Sequence, residues 1–471
     1  MHSVSTKLRA LSIVSAAVLS LALPMPGARA QSAAASASSL QADASTQPAT
    51  PVVLTLPEVI RRAEANEPAF AAAKADSASA ALDRAITRAG LLPSVHVLSQ
   101  GIYTQPNGLY AEGGEGVTTP DPKFVSNDAR PREYIAQGIA EENLSFAGPA
   151  AVARANAAAA MARAQLEIAR RGLVVTVTGL FYGELAAEHK RAIAESAYKD
   201  ASDFTAITVD REKQGEAAHA DVVKAQLTEQ QQSRSLLDAK LAADAARLNL
   251  SVLLFADPLT PYSLQADDAA VPLASFADVE AAAAKNNPEL KSALAALAVS
   301  NADVNGARAA LLPSLGLNFA YGIDANEFAA NGPLTASGQR ARNLGYSATA
   351  TLNIPLWDWL STEHKVRQSE IRRDATRVAL SATQRQWIAQ LQTNYFAAQT
   401  AQQELASLDL SVNTAAESLR LAELRYKSGE ALVLEVVDAQ TAYVSAENAR
   451  EDGRVRYESA LATLQTLTGN L

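Results

Sequence analysis

Apolar residues near the end of the chain recur at alternating spacings of three and four residues. The positions that keep this spacing are Leu405, Leu408, Val412, Ala415, Leu419, Ala422 and Tyr426. Such a stripe is typical of a helix that packs along another helix. No proline occurs from residue 150 to 257 or from 356 to 471. About 60 helical residues would span roughly 90 Å, so we expect long helices packed side by side rather than a compact domain.

Alternating apolar and polar residues predict two β-strands in each half of the chain. The four predicted strands cover residues 94–105, 133–146, 314–325 and 346–356, and loops at 106–131 and 326–343 join them in pairs. A helix of about 35 residues is predicted before each pair, ending at Leu-Leu-Pro-Ser, because the residue before a proline is driven out of helical geometry. Four strands leave an open sheet with unpaired edges. Three copies of the chain would supply about 12 strands, which is within the range of outer-membrane barrels.

Four sequence segments occur twice, in the same order, and predict an internal duplication. Asn66–Phe70 (NEPAF) returns as Asn286–Leu290 (NNPEL), and Arg211–Gln226 returns as Arg425–Gln440. The other two pairs are GLLPSVHVLSQGIY with ALLPSLGLNFAYG, and NLSFAG with NIPLWD. We therefore predict a first repeat at 53–257 and a second at 273–471, with most insertions in the loops.

The N-terminus has the features of a secretory signal peptide. Lys7 and Arg9 precede an apolar run, and Ala28-Arg29-Ala30 supplies a small-residue cleavage site. Residues 1–30 are therefore predicted to be removed on export. The Ser/Ala/Thr-rich segment 31–52 that follows cannot bury a core, and we predict that it is disordered. No later run approaches the roughly 20 apolar residues that a transmembrane helix needs.

Composition removes several classes of function. The formal net charge is −9 without a concentrated basic stripe, which argues against a nucleic-acid surface. The absence of cysteine excludes disulfides and thiolate metal sites. No two of the five histidines lie at metal-ligand spacing. We predict neither a metal nor a cofactor.

Two acids near the C-terminus, Glu435 and Asp438, lie three residues apart and share one helix face. This spacing suits a catalytic pair, a metal-ligand pair or solvated charge. A glycoside hydrolase would use two carboxylates, but these usually come from separate elements, and no substrate-binding aromatic cluster accompanies this pair. We do not expect an enzyme.

The duplicated Leu-Leu-Pro-Ser, the segment NIPLWD and the stretch RYKSGEALVLEVVDAQTAYVSAENA at Arg425–Ala449 resemble TolC-type outer-membrane efflux proteins. The resemblance covers about residues 53–471. It implies a mainly α fold with a β-barrel portion: a homotrimer with about 12 strands in outer-membrane lipid and a helical tunnel in the periplasm. Such a channel serves a tripartite efflux pump or a type I secretion system, together with an inner-membrane transporter and a periplasmic adaptor. The alternative is a non-channel periplasmic coiled-coil adaptor or spacer, which leaves the strands unexplained.

The resemblance also implies roles for individual residues. Glu435 and Asp438 match the acids of the periplasmic constriction, and Asp221 and Tyr426 match residues that hold it closed. The adaptor-contacting tips would be Gly215, Glu216, Ala217, Gly429, Glu430 and Ala431. Ala431 stands where the best-studied member of the family has an arginine in the closing network, so a closed state of this constriction would have to use other contacts.

The two repeats differ at the acids. Asp221 occupies the position of Glu435 in the first copy, but Lys224 occupies that of Asp438. The second hairpin is therefore expected to line the lumen. Trp357 and Trp359, where the last predicted strand enters its helix, suit a membrane interface or ordinary sheet packing.

Overall fold

The computed structural model describes residues 52–103, 132–266, 273–325, 327–334 and 337–469. The predicted signal peptide, residues 31–51 of the predicted disordered segment and the predicted loop 106–131 lie outside the described residues. Val52, the last residue of the predicted disordered segment, begins a short β-strand instead.

Within the residues that the structure describes, each half of the chain contains four helices, and their lengths match. In the first half they are α1 (Leu56–Asn66), α2 (Pro68–Ala89), α3 (Ala147–Lys213) and α4 (His219–Leu254). In the second half they are α5 (Phe276–Asn286), α6 (Pro288–Ala309), α7 (Ser361–Lys427) and α8 (Val433–Thr468). Both sets have lengths of 11, 22, 67 and 36 residues. A helix of 67 residues spans about 100 Å, which confirms the predicted long helices. The repeat boundaries themselves stay a prediction.

The predicted helix of about 35 residues before each strand pair is wrong, because each copy has two helices with a break between them. Glu67 precedes Pro68 and is extended, with ψ of 117°, and Asn287 precedes Pro288 with ψ of 112°. Steric contact with the proline ring drives the preceding residue out of helical geometry. The Asn287 side chain then caps α6 by accepting a hydrogen bond of 2.9 Å from the backbone N–H of Leu290.

The four main strands form one antiparallel sheet in the order β2-β3-β5-β8. Their bounds are β2 (Ser94–Tyr103), β3 (Arg132–Leu144), β5 (Ser314–Ala325) and β8 (Leu344–Asn353). The hairpins of the two halves meet where β3 pairs with β5, with Tyr134 opposite Ala325. β2 and β8 are the sheet's two edges within the described chain. β8 begins two residues before the predicted strand 346–356 and ends three residues before its predicted end, ahead of Pro355 and the tryptophans.

Two smaller pairs of strands were not predicted. β1 (Val52–Leu54) lies parallel to β4 (Tyr262–Leu264), and β6 (Asn331–Leu334) pairs with β7 (Arg340–Arg342) inside the predicted loop 326–343. Leu54 and Tyr262 are buried against Phe181 and Leu250 of the long helices. This core packs the two short strands against the middle of α3 and the end of α4, and so joins the beginning of the first half to its end.

The predicted heptad stripe on α7 is confirmed. All seven of its positions, from Leu405 to Tyr426, are buried or half-buried, whereas the residues between them are mostly exposed. Among the described residues, no helix combines the length and apolarity that a membrane crossing requires.

Candidate functional site: the tips of the long helical hairpins

Both pairs of long helices reverse direction at a glycine. Gly215 between α3 and α4 has φ of 78°, and Gly429 between α7 and α8 has φ of 80°. The next residue in each turn donates its backbone N–H back to an arginine carbonyl, from Glu216 to Arg211 and from Glu430 to Arg425, each at 2.8 Å. This is the hydrogen bond of a Schellman helix end, in which the left-handed position favours glycine. The two glycines therefore lie at hairpin tips, as the sequence predicted, and the reason is conformational.

A small apolar core joins the two hairpins near these turns. We call it the tip cluster; its buried members are Phe204, Ala225, Tyr426, Val433, Val436 and Val437. Phe204 comes from α3, Ala225 from α4 and Tyr426 from α7. The three valines come from α8, so all four long helices contribute. The Tyr426 side chain is central, since its residue is only 6% exposed and its ring centroid lies 5.0 Å from that of Phe204.

Tyr426 also makes the polar contacts between the hairpins. Its hydroxyl lies 3.3 Å from the hydroxyl of Thr208, and its backbone carbonyl accepts a hydrogen bond of 2.6 Å from Nη1 of Arg211. The Arg211 guanidinium lies over the tyrosine ring, 4.9 Å from its centroid, which adds a cation–π contact. The first hairpin therefore holds the second through Arg211 and Thr208.

Asp221, predicted together with Tyr426 to help hold the constriction closed, makes its contact within the first hairpin. Its Oδ2 accepts a hydrogen bond of 3.4 Å from the backbone N–H of Ala218, at the start of α4. The structure thus does not join Asp221 to Tyr426 within one chain. Sequence reasoning missed Arg211 and Thr208, because a contact between two helices that are distant in sequence leaves no mark on the periodicity of either.

The two predicted constriction acids lie on the outer face of α8, near its N-terminus. Glu435 and Asp438 are exposed, whereas Val436 and Val437 between them are buried in the tip cluster. Glu435 is paired, since its Oε2 lies 2.9 Å from Nη1 of Arg425 at the end of α7. Asp438 has no ion pair within the part of the chain that the structure describes. Arg425, like Arg211, was not singled out from the sequence.

The other tip residues divide by exposure. Gly215, Glu216, Gly429 and Glu430 are exposed, whereas Ala217 and Ala431 are half-buried. Ala431 packs on the tip cluster, so the position where the best-studied family member has an arginine contributes apolar contact here. The exposed acids leave the tips accessible to a partner.

The predicted interface aromatics lie at the opposite end of α7. Trp357 and Trp359 are 68% and 84% exposed, and their rings meet edge to face with centroids 5.9 Å apart. Trp359 and Leu360 adopt left-handed φ angles of 57° and 63°, which turn the chain from β8 into the helix. Hydrogen bonds from the side chain and backbone of Thr362 hold the pKa of the Asp358 carboxyl below its usual value.

The described residues contain no group of three or more histidine, aspartate or glutamate side chains arranged to hold a metal ion. What the tips present is an apolar core, exposed charge and two arginines with different partners.

Residues 281–470 match the family model described as "Outer membrane efflux protein". The predicted resemblance is confirmed. The family's description names the outer membrane, which is the predicted location. The structure also aligns with that of the Campylobacter jejuni CmeC outer membrane channel, with a TM-score of 0.73 and 16% identity over 88% of this chain and 85% of that one. The fold of this chain is therefore that of the TolC-type channels.

Two curated relatives match shorter segments. Outer membrane protein OprJ of Pseudomonas aeruginosa is 28% identical over 180 residues, which are 38% of this chain and 36% of OprJ. Protein CyaE of Bordetella pertussis is 28% identical over 248 residues, 48% of this chain and 50% of CyaE. The chain thus matches half or less of the length of these relatives.

Proposed function

We propose that the protein is the outer-membrane exit channel of a tripartite efflux pump or a type I secretion system. The observation that carries this proposal is the joining of a four-stranded sheet with two free edges to helices about 100 Å long, in a fold similar to that of the CmeC outer membrane channel. Substrates pass through it passively, from an inner-membrane transporter and a periplasmic adaptor to the exterior. The protein performs no chemistry.

The open sheet supports assembly as a homotrimer. Free strand edges present unpaired backbone groups, and no unpaired backbone group is tolerated in lipid. Edge-to-edge pairing of β2 in one copy with β8 in the next closes the barrel and satisfies both edges. Val95 and Val97 on β2 and Tyr346 on β8 are 77–80% exposed in the single chain. These apolar side chains suit a face turned to outer-membrane lipid, with Trp357 and Trp359 at its interface.

The alternative, a periplasmic adaptor or spacer, would use the long helices but has no need of such a sheet. Cell fractionation separates the two functions. We expect the mature chain in the outer-membrane fraction, extracted by detergent as a trimer, with marker proteins of the periplasm and inner membrane as controls. Recovery as a soluble periplasmic monomer would contradict the channel.

The hairpin tips are the surface that meets the periplasmic adaptor. They are the far ends of the long helices, and Glu216 and Glu430 are exposed there. Charge at the rim of an interface steers and orients a partner. Replacing both with lysine should lower the yield of cross-links to the adaptor several-fold while the trimer persists. Glu363→Lys, the same substitution at a single exposed position at the start of α7, is the control, and is compared with each tip substitution made alone. Unchanged cross-linking in the tip variant would remove these residues from the contact.

A further inference from the structure

We infer that Arg425 sets the charge of the constriction by neutralising Glu435, which leaves Asp438 as the carboxylate that acts on passing ions. This inference rests on the proposed channel function and on the position of the two acids at its constriction. It adds a residue that determines ion selectivity and assigns unequal roles to two acids that appear equivalent in the sequence.

The turn at Gly429 brings the arginine and the glutamate together. Arg425 lies in the last turn of α7 and Glu435 in the first turn of α8. Nη1 of Arg425 is 2.9 Å from Oε2 of Glu435, and its Nη2 donates a hydrogen bond of 3.3 Å to the backbone carbonyl of Glu430. The guanidinium is therefore held on both sides of the turn and directed at one acid. The pair remains half-exposed, with 52% of the arginine and 43% of the glutamate side chain accessible.

The first hairpin shows that the turn alone does not create this pair. Arg211 and Asp221 occupy the equivalent positions, and their turn has the same left-handed glycine. There the arginine donates to the carbonyl of Tyr426 and pairs with Glu216 of the turn at 3.4 Å. The aspartate, one methylene shorter than glutamate, accepts from the backbone at the start of α4. The arginine thus binds the first-turn acid of the following helix only in the second copy.

Charge counting gives the consequence for ions. Glu435 and Asp438 contribute two negative charges per chain, and Arg425 returns one positive charge within contact distance. The ring therefore acts as if each chain carried a single acid. Rings of carboxylates favour cations in pores, and the field they create depends on their net charge. The structure thus predicts moderate cation selectivity, which increases when the arginine is removed.

The test uses the full-length trimer inserted in planar lipid bilayers, with reversal potentials measured under a KCl gradient. Arg425→Gln should raise the ratio of cation to anion permeability several-fold. Asp438→Asn should lower it to nearly unselective conduction because it removes the acting carboxylate, and Glu435→Gln should lower it as far because it leaves the charge of Arg425 unpaired. Arg425→Gln combined with Glu435→Gln should return the ratio toward that of the natural protein, because the pair is removed together. Arg420→Gln is the matched control, since Arg420 lies on the same helix and pairs with Glu417 at 2.7 Å.

The outcomes separate the inference from the function on which it rests. A ratio unchanged by Arg425→Gln, with both acid variants still effective, would overturn the role of Arg425 and leave the constriction intact. Unchanged ratios in both acid variants would remove the acids from the constriction and overturn both. Insertion of each variant as a conducting channel reports that the trimer has assembled.

Discussion

Replacing Tyr426 with alanine should release the two hairpin tips from each other and lower the free energy of local unfolding by about 3–5 kcal/mol, the usual cost of truncating a buried aromatic. The side chain is almost fully buried between Phe204 and the Arg211 guanidinium. Its loss leaves a cavity where all four long helices meet. Tip opening then requires less energy, so the constriction should conduct more at low voltage.

Tyr426→Phe is the matched control for this prediction. It keeps the ring, its packing and the cation–π contact, and removes only the hydroxyl, whose contact with Thr208 is 3.3 Å long. We expect a cost of about 0.5–1.5 kcal/mol, as for one hydrogen bond. Hydrogen exchange at the ends of α7 and the start of α8, together with conductance in planar bilayers, would measure both variants. Equal effects of alanine and phenylalanine would show that the hydroxyl, not the packed ring, holds the tips.

Replacing Glu435 and Asp438 together with alanine should reverse the ion preference of the channel, from cations to anions. Removing both acids leaves Arg425 without its partner at the same turn. An exposed, always-charged guanidinium would then dominate the field at the proposed constriction. This effect exceeds that of either single acid, because the sign of the local charge changes.

The measurement is the reversal potential under a salt gradient. Asp409→Ala combined with Glu417→Ala is the control, since it removes two exposed acids of α7 that have their own arginine partners. That control should retain cation preference. Retained cation preference in the constriction variant would place the selective charges elsewhere in the tunnel.

Local signals explain which parts of the fold the sequence predicts. The proline-free heptad stripe predicts α7, and the glycines at 215 and 429 predict the turns, because both effects act within a few residues. The predicted helices end before Leu-Leu-Pro-Ser because a residue that precedes proline leaves helical geometry. The same rule applies at Pro68 and Pro288, so the break between the two short helices of each half could have been predicted from the sequence.

The remaining features depend on long-range contacts. β1 pairs with β4 across more than two hundred residues, and neither three-residue strand has a periodicity of its own. Likewise, the pattern around Arg211 gives no sign that its side chain reaches Tyr426 in the other repeat, and that around Arg425 does not reveal that it selects Glu435 over Asp438. Such choices are made by packing after the helices have formed.

The equal lengths of the helices in the two halves limit which changes of length the chain can tolerate. Inserting one residue into α3 or α7 would rotate everything beyond it by about 100°, turning the buried stripe toward solvent. It would also move one tip about 1.5 Å past its neighbour. Substitutions at exposed helix positions therefore leave the two tips level with each other, whereas a change of length within one long helix displaces one tip from the other.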